Sequence, residues 1–465
     1  MRVENNYKGY WYFHSDTASV AGTLTIGKRI VLRLIDLNKT IYKQPIIDFL
    51  RGIVITENSD ILYFILYDLS RAESVANSQG VQSYEYSVSY LVYSSESLLH
   101  KKSSNILNTN KIIINNSYLS RWCRSLIKDQ KYDLTQKEIE YHYINPQPIL
   151  LSKLDNCSIY ALIVSSTKSP YYEGFCNKLE AHLEIVFWNS LELEKSFAIV
   201  KKIESLLCLF MSTPVVNDSI SFTSDGTSCI CVHNIAERHY NYRQKSGDTV
   251  MFTSNIQDIA NNHIIEHWCD FYNEEEQALN LYFDTIYNEE LTDELRIICY
   301  SSVLEELTKR YYSTTLPTPE TRKRKMLQSI IDILKKDNHL KEANNLKTCY
   351  LDRDDTFEAR LLSILRKHQD IWELLNIEDF AKKAVVTRNF LVHRQIPENM
   401  ASFLYAPQEY EKLARTLRFI IAATLLKELT IDTKDITRIL SILIGGIWTY
   451  EDYVKAHPEI GKQVK

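Results

Sequence analysis

The sequence predicts an α+β, multidomain protein, with a β-rich N-terminal region followed by an all-α C-terminal helical bundle. Up to about residue 235, short apolar runs rich in Val, Ile and Tyr alternate with period two, the mark of half-buried strands. From about Asn273 onward the apolar spacing changes to three and four residues and stays there. The chain of 465 residues is long enough for several domains and a sizeable core. The expected division is 1–270 and 271–465, with a further subdivision of the first region near 145.

Taken in order, Gly9-Tyr10-Trp11-Tyr12-Phe13 begins the first strand. Val20 to Ile26 and Arg29 to Ile35 continue the alternation, Gly52 to Ile55 and Ile61 to Leu66 are short apolar runs, and Tyr84 to Tyr93 is rich in Tyr, Val and Ser. Ser117 to Cys123 reads as a short helix anchored by Trp122. Strands return at Ser158–Val164 and Leu179–Phe187. A helix is expected over Glu192–Met211, where Phe197, Val200, Ile203, Leu206, Leu207 and Phe210 share a face. Another β portion ends near Val232, and the charged, aromatic stretch from Asn234 to Asn255 reads as a connection. Helices are then expected within Glu274–Tyr312 and over Lys325–Lys336, Phe357–His368, Asn376–Val392, Pro407–Leu429 and Thr433–Ile444. There is no internal repeat and no low-complexity tract.

Composition narrows the function. Hydrophobic residues make up 45% and charged residues 24%, with 11 Gly and 10 Pro, which argues for a folded globular chain. A net charge of -5 does not advertise nucleic-acid binding, although a local basic patch is enough for it. No apolar segment follows Met1, and no run reaches the length of a membrane span, so a cytoplasmic protein with no membrane partner is expected. The nine cysteines are scattered without a CxxC, as expected of small buried residues in a reducing compartment.

The sequence singles out Arg388-Asn389-Phe390-Leu391-Val392-His393. Asn376 is suited to cap its helix, with Asp379 at the third helical position. Pro397 lies just beyond the helix end. Ile377, Ala381, Ala384, Arg388 and Leu391 fall near one face, so Arg388 interrupts an apolar stripe. Asn389 and His393 are four apart and stack on a neighbouring face. Spacing alone is weak: one arginine five residues before a histidine is what chance supplies in a chain with 12 His. Context adds weight. No acidic residue occurs between Ala381 and Gln395, while Lys382, Lys383, Arg388 and Arg394 all do.

These side chains suit RNA cleavage without a metal or other cofactor. An imidazole takes the proton of a ribose 2′-hydroxyl or gives one to the departing 5′-oxygen. A guanidinium holds the scissile phosphate and stabilises the charge growing on it. One helix supplies one Arg and one His, and a two-fold dimer would bring two copies around one cleft. The plainer reading is a helix-end pair, with Arg388 in a salt bridge and His393 capping a terminal carbonyl.

Arg388-Asn389-x-x-x-His393 near the end of a late helix resembles the HEPN family of nucleases. Gly9-Tyr10-Trp11, then Gly22-Thr23-Leu24 and alternating strands, resembles the start of ApeA-type proteins, which join a β-rich N-terminal domain to an ApeA-like HEPN domain. The resemblance implies a HEPN-like bundle and a metal-independent endoribonuclease of bacterial anti-phage defence, working as a homodimer or higher even oligomer. It implies Arg388 and His393 as the catalytic pair, with Asn389 the polar residue beside the arginine. Lys382, Lys383 and Arg394 are the expected RNA contacts, with tRNA among the candidate substrates. Because a free ribonuclease harms its own cell, the N-terminal region or the dimer interface is expected to gate the site until a phage-derived protein trigger arrives. The competing expectation is a non-catalytic scaffold for dimerisation and for RNA or protein binding.

Other constellations are weaker. His263-Ile264-Ile265-Glu266-His267 matches an inverted zinc-protease pattern, but its neighbours Trp268, Cys269, Phe271 and Tyr272 suggest an interdomain packing element. Thr321 to Lys325 is a basic cluster suited to a solvated helix start or to phosphate contact. Glu305 and Glu306 are expected as surface or salt-bridge residues, or as groups that orient Arg388. Most of the 30 tyrosines should pack on strands, and some N-terminal ones could stack on bases or a ligand.

Overall fold

The computed structural model describes residues 5–13, 19–27, 29–36, 46–76, 82–95, 107–116, 119, 122, 147–168, 176–215, 219–224, 226–233, 256–288, 290–312, 319–346, 356–372, 376–395 and 398–436. Two compact units emerge: 1–272 with 286–289, and 273–285 with 290–465.

The first unit is β-rich. Its strands include β1 (Asn5–Tyr12), β2 (Ser19–Ile26), β3 (Ile30–Asp36), β4 (Ile46–Ile55), β5 (Ile61–Ala76) and β6 (Gln82–Ser94). These six close on themselves through antiparallel pairings in the order β1-β2-β3-β6-β5-β4 and back to β1. Closure removes the open strand edges, and a barrel this narrow is filled by its own side chains. Trp11, Leu24, Leu32, Leu34, Leu50, Phe64, Leu66, Tyr84 and Tyr86 fill it. Gly52 explains how Trp11 fits: a Cβ there would lie 2.3 Å from the indole ring.

β6 carries the sheet out of the barrel. One edge pairs with β5, while the other pairs with β3 from Gln82 to Ser87 and with β12 (Thr227–His233) from Tyr90 to Tyr93. From β12 the order continues through β11 (Ser219–Ser224), β7 (Asn108–Asn115), β10 (Cys176–Glu192), β9 (Cys157–Lys168) and β8 (Ile149–Lys153). Sequence reasoning missed β7 because it reads NTNKIIIN. Ile112 and Ile114 alternate inward, whereas the buried Thr109 is an odd step away, before a shift in the β7–β10 register. Helix α1 (Leu193–Met211) begins where β10 ends and packs on β10 and β7. The expected helix at 117–123 falls largely outside the described residues, but Leu119 and Trp122 are helical and buried, with Trp122 edge-on to Phe210 at 6.4 Å. The stretch 234–255 lies outside the described residues. Helices α2 (Ile256–Asn261) and α3 (Ile264–Glu274) follow, and Trp268 Nε1–H donates to Lys202 O of α1 at 2.8 Å.

The second unit is helical. It contains α4 (Glu276–Tyr287, through Thr285), α5 (Asp293–Tyr312), α6 (Pro319–Lys336), α7 (Leu340–Leu346), α8 (Phe357–Lys367), α9 (Ile377–His393) and α10 (Tyr410–Glu428). Two 3-10 turns, Glu398–Phe403 and Pro407–Glu409, join α9 to α10. Helix α5 is the hub, with α8, α9 and α10 all packed on it. Its Ile297, Tyr300, Val303, Leu304 and Leu307 are buried at helical spacing. Residues 419–426 of α10 are buried on every side, so this helix runs through the core. Sequence reasoning missed α7. Of the expected last helix, 433–436 are helical and the remainder lies outside the described residues. Among the described residues, no helix is long and apolar enough to cross a membrane.

Candidate active site

Helix α9 positions the candidate residues, and its start follows from its sequence. Asn376 has extended backbone, and its Oδ1 accepts the Asp379 N–H at 3.2 Å, satisfying one of the amides a helix start leaves unpaired. Ile377, Phe380, Ala381, Ala384, Thr387 and Leu391 form the buried face. Thr387, rather than Arg388, occupies the middle of that stripe. Its Oγ1 accepts the Tyr405 N–H at 3.1 Å and ties the following turn back onto the helix. Arg388 lies at the stripe's edge and is half-buried. The helix ends on a left-handed residue, Arg394 (φ 57), whose N–H donates to Phe390 O at 2.7 Å. Pro397 lies outside the described residues.

The Arg388 guanidinium is held from two sides. Nη2 donates to Glu305 Oε2 of α5 at 3.3 Å, and Nη1 donates to Asn389 Oδ1 at 3.0 Å. Nε is buried without a hydrogen-bond partner. Asn389 therefore spends its carbonyl on Arg388. Glu305 also accepts from Arg360 Nη2 of α8 at its other oxygen, at 3.1 Å. The Arg360 side chain is 8% exposed and that of Arg388 24%. One carboxylate thus bridges two guanidiniums, both with unpaired Nε atoms. Sequence reasoning named Glu305 as a group able to orient Arg388 but missed Arg360. The signal was an arginine inside an apolar stripe, with Phe357, Leu361, Ile364 and Leu365 around it. Glu306 faces away from this cluster and pairs with Lys309 at 2.8 Å.

His393, the last residue of α9, is exposed and makes no side-chain hydrogen bond or ion pair with another described residue. The helix end is capped by the Arg394 amide, so the imidazole is not used as a cap. The basic neighbours are less bare than the sequence suggests. Lys383 pairs with Asp379 at 2.8 Å, and Lys382 Nζ lies 3.5 Å from the centre of the Phe403 ring. Arg394 is exposed and near Glu294, whose carboxyl is held below its usual range chiefly by its own backbone and the Thr292 hydroxyl, with Arg394 adding a smaller pull. The acid-free window of sequence has acids around it in space, supplied by the preceding turn and by α5.

The remaining constellations resolve otherwise. His263 stands just before α3 in a left-handed conformation (φ 52), with Nδ1 3.5 Å from Glu266 Oε1. Glu266 Oε1 also accepts the Lys153 N–H at 3.2 Å. Trp268, Cys269, Phe271 and Tyr272 are buried in the β-rich unit. No group of three or more His, Cys, Asp or Glu suited to a metal occurs among the described residues. Of the basic cluster at 321–325, only the Lys325 side chain is described, and it is exposed.

Two family models match the chain. The model described as ApeA N-terminal domain 1 matches residues 6–268, and that described as Apea-like HEPN matches residues 299–435. The second match contains Glu305, Arg360, Arg388, Asn389 and His393. Comparison with curated proteins and with solved structures found no match.

Proposed function

The chain belongs to the ApeA-like proteins with a C-terminal HEPN domain, and on that premise we propose that it is an endoribonuclease of anti-phage defence. The observation that carries the reading is the pairing of an arginine fixed by Glu305 and Asn389 with a solvent-facing histidine at the end of the same helix. Arg388 binds the scissile phosphate and offsets the negative charge that builds on it as the new bond forms. His393 moves the proton, either from the ribose 2′-hydroxyl or to the departing 5′-oxygen. The mechanism needs no metal, since the 2′-hydroxyl is an internal nucleophile and both charge and proton are handled by side chains. Asn389 sets the plane of the guanidinium. Arg394, Lys382 and Lys383 contact flanking phosphates, with Arg394 the most accessible and the two lysines exchanging Asp379 and Phe403 for RNA.

Five residues along a helix separate Arg388 from His393 by about 7.5 Å of rise and about 140° of rotation. One copy therefore flanks a phosphate rather than surrounding it. A two-fold homodimer supplies a second Arg388 and His393, so that one histidine acts as base and the other as acid. The β-rich region gates this site and releases it on meeting a phage-derived trigger.

The test uses the purified full chain with RNA, including tRNA, in the presence of chelator. The wild type cleaves, and His393→Ala and Arg388→Ala lose cleavage by two or more orders of magnitude, about what removing a general base or a phosphate clamp costs. The Arg388–Glu305 ion pair also favours a second reading, a non-catalytic scaffold in which Arg388 is structural. In that case none of the three proteins cleaves, and Arg388→Ala loses thermal stability.

A further inference from the structure

Within the helical unit, Glu305 holds two cations, and only one of them can meet a substrate. Arg388 is partly exposed, whereas Arg360 is buried on α8. We propose that Arg360 is a positioning residue for Arg388: by occupying Oε1 of Glu305, it limits Arg388 to a single bond with that carboxylate and leaves its charge available to a phosphodiester. This rests on the ribonuclease reading above.

The electrostatics give the direction. One carboxylate between two guanidiniums leaves one net positive charge in the cluster. A carboxylate facing a single arginine pairs through both oxygens, and that fork–fork geometry neutralises the guanidinium and fixes its donors. Here Arg360 has taken one oxygen at 3.1 Å, and Arg388 reaches the other at 3.3 Å, longer than a strong charge-assisted bond. The remaining grip on Arg388 is aimed by Asn389 but weak enough for a phosphate to win. Without Arg360, Glu305 would close on Arg388 with both oxygens and become an inhibitor of the site it now orients. The two unpaired Nε atoms fit a compromise in which neither guanidinium obtains full pairing.

The experiment compares the full-length wild type, Arg360→Met, Arg360→Lys, Glu305→Gln and the Arg360→Met/Glu305→Gln double variant. Availability of Arg388 is read by its rate of phenylglyoxal modification, mapped by peptide mass spectrometry. RNA affinity is read with a short single-stranded oligoribonucleotide in the His393→Ala background. Arg360→Met should slow modification of Arg388 several-fold and weaken RNA binding about tenfold, the worth of roughly one charge-assisted hydrogen bond. Adding Glu305→Gln should restore both, and Arg360→Lys, which keeps the charge, should stay close to wild type. A purely structural Arg360 would lower the melting temperature without changing Arg388 reactivity, and the double variant would not recover. Unchanged Arg388 modification in Arg360→Met, or failure of Glu305→Gln to restore it, overturns the proposal. The ribonuclease reading fails separately, if no form of the chain binds or cleaves RNA, and the modification pattern still decides the role of Arg360.

Discussion

Arg388 sits at the edge of the buried stripe of α9, its guanidinium held between Glu305 and Asn389, and the sequence shows part of this arrangement. Its place on α9 and the capping of that helix by Asn376 are legible, because each depends on residues within one or two turns. Its partners are only partly so: Asn389 is its neighbour in the sequence and Glu305 is one of two acids able to orient it, but Arg360 is not singled out. Glu305 lies 83 residues upstream and Arg360 arrives from a third helix, so the cluster exists only once α5, α8 and α9 are packed. For the same reason, a basic window read along the chain acquires acids in space. A second buried cation-forming group makes a separate prediction. His368 is buried, its Nε2 is unpaired, and burial is the main cause holding its pKa below the ordinary imidazole value of 6.5. Lys367 pushes the same way and Lys427 adds to it, while Glu428 and Asp370 oppose them. The unfolded chain therefore binds a proton as pH falls through about 6.5, and the folded chain binds it only at lower pH. Stability should fall as pH drops below about 7 and level off only below the folded value. Melting curves of His368→Gln should show a shallower drop over that range, and parallel curves would refute the assignment.

At the level of elements, strands carried by an alternating or continuous apolar run are legible, and a strand whose buried positions break the alternation is not. The runs at Val20–Ile26 and Ile61–Leu66 announce β2 and the start of β5. β7 hides because its buried positions step by three from Thr109 to Ile112 before they alternate at Ile114, and the first of them is polar; the Thr109 hydroxyl donates to Lys111 O at 2.8 Å. Barrel closure was also hidden, since the β3–β6 pairing joins residues about fifty apart and leaves no local trace. Gly52 on β4 provides a direct test of the barrel's packing. Any side chain there meets the Trp11 ring inside a filled core, so Gly52→Ala should cost about 1–3 kcal/mol, the usual range for overpacking. Chemical denaturation measures it, and a neutral substitution would mean that the Trp11 ring has room to move. An alanine at Gly226 is a poor control because its φ of 81 is itself costly for a side chain.

At the level of the whole molecule, the change from period two to helical spacing foretold a β-rich region followed by a helical one. What joins them functionally is an argument about toxicity. If the β-rich region restrains the nuclease, expressing residues 273–465 alone should arrest growth where the full chain does not. Equal growth, with both proteins folded and equally abundant, would remove the gating claim. The central claim concerns chemistry, and the ends of the cleaved RNA test it most directly. Attack by a 2′-hydroxyl, with Arg388 on the phosphate and His393 moving the proton, leaves a 2′,3′-cyclic phosphate and a 5′-hydroxyl. Mass spectrometry of products made by the wild type in chelator should find those ends, and His393→Ala should yield none. Products with 3′-hydroxyl and 5′-phosphate ends, or undiminished cleavage by His393→Ala, would contradict the account.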